Sequence, residues 1–286
     1  LFIIFPDTLH CSDHGIIRND YVTIIFEKPL KGRAEEMAGI YPETVAELEK
    51  TIGWNLNFAP TLLLFKNSES FQRMAGTDLV AAFAVPQKLL IVIDFSRMNR
   101  DPFKFEVILK HELCHLLLHY HIDGGRLPRW LDEGVAQWTS NGMSEIIRSG
   151  NRSILNRVVL SDRYIKLRDL EDSFPREREP LTLAYEESKS LVDYINGEYG
   201  VERTLMILQH LKDGDEIEGA IKKSLSISLD ELEVKWHAYL KKRITWFTFL
   251  IYNMYEILFA LTALIAIYGF VRLIRKKRAY RDEDGL

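Results

Sequence analysis

The sequence predicts an α+β fold, a small mixed β-sheet lobe followed by a helical lobe, with one transmembrane helix near the C-terminus. Three observations predict it. Short apolar runs bounded by turn residues fill the first hundred positions. From Val107 onward, apolar residues crowd segments that read as helices. Residues 244–271 then carry a single charged side chain, Glu256, and a bilayer needs roughly 20 apolar residues in a row.

Taken in order, residues 21–27 and 61–65 alternate or run apolar as strands do, and an acidic amphipathic helix is expected between them over 33–52. Residues 80–85 and 89–95 read as a hairpin joined by Pro86, Gln87 and Lys88. The next helix carries His111-Glu112-Leu113-Cys114-His115 and is expected to end near His121, before the paired glycines Gly124 and Gly125. Pro128 suits the start of a returning helix that carries Trp130, Glu133, Ala136 and Gln137 along one face. Past Gly142 the chain is expected to be helical, with a charged loop over 171–180.

Positions i and i+4 of a helix lie one above the other, so His111 and His115 can offer two imidazole nitrogens to one metal ion. Glu112 stands beside them, placed to take a proton from a metal-activated water. A catalytic zinc needs a third protein ligand and one open position. Glu133, eighteen residues beyond His115, is the candidate, provided the two helices fold back on each other. The flanking Val107, Ile108, Leu109, Leu113 and Leu116 to Leu118 put the histidines on a buried helix, where imidazoles beside a carboxylate need a partner.

The segments His111-Glu112-Leu-Cys-His115 and Trp130-Leu-Asp-Glu133-Gly134-Val-Ala136 resemble the gluzincin zinc metallopeptidases, the thermolysin and aminopeptidase N grouping, and more closely the peptidase MA-like domains. A weaker match runs from Ala184-Tyr185 to Ile195. The resemblance implies one Zn2+ per chain held by His111, His115 and Glu133 in the helical zinc-binding lobe. It makes Glu112 the general base and Tyr185 a donor to the oxyanion; a core tyrosine is the competing reading. The Gly-x-Met-Glu-Asn motif of the aminopeptidase branch does not precede the zinc helix, which favours an endopeptidase. In this class of peptidase an edge strand beside the cleft receives extended substrate, and residues 81–85 are the expected strand.

Other polar residues are read more simply. His119 and His121 form the polar end of the helix, His210 and His237 are surface or packing residues, and Cys114 is a buried thiol. Cys11 and Cys114 make no disulfide framework. The chain carries 37 Lys and Arg against 41 Asp and Glu, and six of those basic residues lie past residue 271. The portion ahead of them is therefore acidic, which argues against a nucleic-acid partner.

The expected organisation is a leader remnant over 1–19, a metallopeptidase domain over 20–243, a transmembrane helix over 244–271 with Trp246, Phe247, Tyr252 and Tyr268 toward its interfaces, and a basic tail over 272–286. The tail's Arg272, Arg275, Lys276, Lys277, Arg278 and Arg281 favour a cytoplasmic C-terminus and an extracytoplasmic domain. Glu256 marks either a membrane partner or the true start of the span. The function these readings predict is a membrane-anchored zinc metallopeptidase acting on a peptide or protein substrate. The alternatives are a catalytically silent zinc-binding scaffold and an enzyme of inverted topology.

Overall fold

The computed structural model describes residues 14–97, 104–123, 125–142, 153–252 and 254–283. Cys11 and residues 1–13 of the expected leader segment lie outside them. The chain divides into two compact units, Leu1–Trp236 and His237–Leu286.

The first unit opens with β1 (His14–Arg18) and β2 (Thr23–Glu27), followed by α1 (Lys31–Ile52), β3 (Thr61–Phe65), α2 (Ser68–Ala75), β4 (Ala82–Val85) and β5 (Leu90–Asp94). The sheet order is β1-β2-β3-β5-β4. Its centre is parallel, β2 with β3 and β3 with β5, and both flanks are antiparallel. Leu63, Phe65, Leu90 and Val92 pack with Phe71 of α2 on one face. By strand alternation, Leu62, Leu64, Ile91 and Ile93 point to the other, and all four are fully buried. Two covered faces explain why β3 is apolar from Leu62 to Phe65 and β5 from Leu90 to Ile93.

Two elements depart from the sequence expectation. Residues 14–18 fall within the segment read as leader, yet they pair residue by residue with β2, His14 opposite Glu27 through Arg18 opposite Thr23. This strand is only half-buried, so its sequence lacks an apolar run. Helix α2 is short and buries one side chain, Phe71, too little periodicity to read; Asn67 caps it by accepting the Glu69 amide at 2.8 Å. The 80–85 and 89–95 hairpin is present as β4 and β5, joined by a 3-10 turn over Pro86–Lys88.

Beyond the sheet come α3 (Lys104–His121), α4 (Arg129–Thr139), α5 (Ile154–Ser161), α6 (Arg178–Tyr199), α7 (Val201–Lys212), α8 (Ile217–Leu225) and α9 (Leu229–Tyr252). Helix α3 lies between the two lobes, packing on α1 and β4 on one side and on α4 on the other. Gly125, at φ +98°, takes the turn out of α3 in a conformation open to glycine. Pro128 stands at the N-cap of α4 as expected. Helix α4 is buried along nearly its whole length, wedged between α3 and α6.

In the second unit, α9 ends at Tyr252 and α10 (Met254–Glu283) follows. Within the expected helix over 244–271, the residues on both sides of position 253, which itself lies outside the described residues, are helical. Among the described residues one helix is long and apolar enough to cross a membrane, over Met254–Ile274, with mean hydropathy 2.3. Glu256 falls in the first turn of that stretch. The side chains of Trp246, Phe247 and Tyr252 are outside the described set, whereas Tyr268 lies well inside the apolar stretch.

Candidate metal centre

The fold brings His111 and His115 of α3 against Glu133 of α4. The three side chains are buried, and their ligand atoms lie within 4.8 Å of one another. The His111 and His115 Nε2 atoms are 3.2 Å apart. Glu133 Oε2 is 3.5 Å from each of them. Zinc–ligand bonds of about 2.0–2.2 Å at tetrahedral angles set ligand–ligand separations of about 3.3–3.6 Å. The donors therefore already span a tetrahedral face, and the residues fit the metal. Glu133 Oε2 is buried with no hydrogen-bond partner, an arrangement that a cation between the three donors would satisfy.

Burial works against a charge on Glu133, yet Arg129 and then His115 hold its pKa well below the usual carboxylate range. Arg129, one turn earlier on α4, places Nη2 at 2.6 Å from Glu133 Oε1. The Tyr185 hydroxyl donates to the same oxygen at 3.2 Å. Burial also opposes the His115 cation, but Asp132 and Glu133 outweigh it and push its pKa well up. For Glu112, itself 1 % exposed, burial dominates over the neighbouring histidines and raises the carboxyl.

Gly134 decides whether Glu133 can sit this deep. A Cβ there would lie 2.5 Å from the Ser188 carbonyl oxygen of α6 and 2.6 Å from Val192 Cγ2. The glycine thus lets α4 and α6 touch along their backbones. Gln137 Nε2 adds a hydrogen bond to the Tyr185 carbonyl oxygen at 3.1 Å.

The structure supplies two residues whose roles the sequence reading missed. Asp132 bonds His115 Nδ1 through Oδ1 at 2.6 Å and His119 Nε2 through Oδ2 at 3.0 Å. A carboxylate behind a histidine fixes the ring so that Nε2 faces a metal. His119 is accordingly a partner of Asp132 rather than merely the polar end of α3. The second is Arg129, which sits at i−4 from Glu133; its place in the helix was legible, its target was not. Tyr185 does reach the site, but its hydroxyl is engaged by Glu133 and its ring packs with Val80, Phe174 and Leu181. Cys114 is buried, and burial pushes its thiol up to about 12 despite a hydrogen bond with Thr139. His210 forms a surface pair with Asp215 at 3.1 Å.

Two helices beside a small mixed sheet bury a His2Glu group able to hold a metal ion, in keeping with a metallopeptidase-like fold. The family model for the Peptidase MA superfamily matches residues 42–242, and the chain belongs to that superfamily. No curated protein matches it.

Proposed function

We propose that the protein is a membrane-anchored zinc metallopeptidase of gluzincin type, acting as an endopeptidase. The observation that carries this reading is the set of separations of 3.2, 3.5 and 3.5 Å among the His111, His115 and Glu133 donor atoms, with Glu112 buried beside them. His111, His115 and Glu133 would hold the zinc, which when bound polarises the attacking water and the scissile carbonyl. Glu112 accepts the proton of that water as its oxygen bonds to the carbonyl carbon. It then passes the proton to the amide nitrogen, so the C–N bond breaks with an amine as leaving group. Asp132 holds His115 through Nδ1.

Endopeptidase action draws support from β4. It is one of the two edge strands of the sheet, and it packs beside α3. Among the described residues no strand pairs with its outer edge, which can take an extended chain by main-chain hydrogen bonds without requiring a chain end. The apolar helix over Met254–Ile274 supports anchoring. The positive charges that follow it, Arg275 to Arg278 and Arg281, together with Arg272 near its end, favour a cytoplasmic tail and an extracytoplasmic catalytic domain.

The test is zinc content together with cleavage of a peptide library by the full chain in detergent, wild type beside Glu112→Gln. One zinc per chain in both proteins, with cleavage only by the wild type, is the expected result. Zinc in both and cleavage by neither would replace the enzyme with a zinc-binding scaffold. Correctly folded protein without zinc would remove the metal reading. Protease accessibility in intact cells distinguishes the two topologies.

A further inference from the structure

The two oxygens of Glu133 are held in opposite ways, and from this we infer that Arg129 is a positioning residue that restricts Glu133 to one-oxygen metal ligation. The inference rests on the metal centre proposed above. Oε1 accepts from Arg129 Nη2 at 2.6 Å and from the Tyr185 hydroxyl at 3.2 Å. Oε2 has no hydrogen-bond partner and stands 3.5 Å from both histidine Nε2 atoms. One oxygen is committed to the protein and the other is left for the ion.

The distinction matters because carboxylates can give a metal one oxygen or two. Two would add a fifth ligand beside the two histidines and the bound water, in place of the four-coordinate arrangement of three protein ligands and one water. Arg129 is itself fixed on several sides. Its backbone amide donates to the Glu171 carbonyl at 2.7 Å. Its guanidinium lies over the Phe174 ring at 5.8 Å, and Nη1 is 3.8 Å from Asp132 Oδ2. A planar, always-charged fork can hold a carboxylate oxygen in a set direction; a lysine ammonium would supply the charge with less directional control. An ordinary i,i+4 surface pair has both partners in water, whereas the Glu133 side chain is 1 % exposed.

The experiment uses the full chain in detergent, stripped of metal and titrated with Co2+, whose visible absorption is strong when four-coordinate and weak when five-coordinate. Competition with Zn2+ gives the affinity. R129M is expected to lower affinity about 10–100-fold, the usual loss when a group behind a ligand is removed, and to convert the spectrum to the five-coordinate form. R129K should recover part of both. Y185F should shift both in the same direction but less, since one donor to Oε1 survives. A purely structural role for Arg129 would lower the melting temperature without changing the spectrum. Wild-type affinity and spectrum in R129M would overturn the inference; if that variant does not fold, the same result in R129K and Y185F together would do so. Failure of the wild type itself to take up Co2+ would instead remove the metal centre, and this inference with it.

Discussion

Replacing Gly134 by alanine brings two opposing effects into one experiment. In an unhindered helix, glycine to alanine gains roughly 0.8–1.0 kcal/mol. At position 134 the new methyl carbon would stand 2.5 Å from the Ser188 carbonyl oxygen, where ordinary contact begins at 3.4 Å, a shortfall of 0.9 Å. Val192 can rotate its methyl away, but the Ser188 oxygen belongs to the α6 backbone and can move only with the helix. Overpacking of this kind costs about 1–3 kcal/mol, and a clash with backbone belongs at the upper end. The expected net loss is about 2 kcal/mol, or roughly 4–8 °C in Tm for a domain of this size. Because α4 carries Glu133, separating it from α6 should also weaken Zn2+ binding. Gly39, exposed in α1 with nothing within 4 Å of its added Cβ, supplies the control. Thermal unfolding of G134A and G39A, followed by near-ultraviolet circular dichroism, should show the first melting below the wild type and the second above it. If G134A melts with G39A, the close approach of α4 and α6 is not what requires a glycine.

Glu112→Gln should retain metal and abolish cleavage, as tested above. Asp132→Asn should lower Zn2+ affinity about 10–100-fold in a competition titration, because His115 loses the carboxylate that fixes its ring; unchanged affinity would deny Asp132 that role. Glu187, fully buried on α6, is raised from an ordinary 4.5 to about 8 by burial, with Glu233 and Glu186 adding to it and the Ile165 amide opposing. The folded state then holds a proton that the unfolded chain has released, so this group's stabilisation is complete below about pH 4.5 and is lost as pH rises through 8. Glu187→Gln should raise Tm at pH 8.5, leave it nearly unchanged at pH 4.5, and flatten the slope between; equal shifts at both pH values would contradict this.

Much of the fold was legible because local pattern and local chemistry agreed. The 61–65 strand matches β3 residue for residue, and the 33–52 helix differs from α1 only at its start. The turn beyond His121 and the Pro128 start of α4 followed from backbone preferences that act within a few residues. Strand β1 escaped because an edge strand is held by its neighbour's hydrogen bonds rather than by its own apolar side chains.

At the metal centre, the sequence by itself determined the grouping of His111 with His115, since helical periodicity places i and i+4 together whatever the rest of the chain does. Through motif spacing it also singled out Glu133. Only the tertiary structure decided which oxygen of Glu133 faces the histidines, that Asp132 stands behind His115, and that Arg129 and Tyr185 hold Oε1. Those relations join α3, α4 and α6 across separations of up to 52 residues. They depend on how closely α4 packs between its neighbours, and a side chain's direction at such a distance is set by packing rather than by the spacing of residues along the chain.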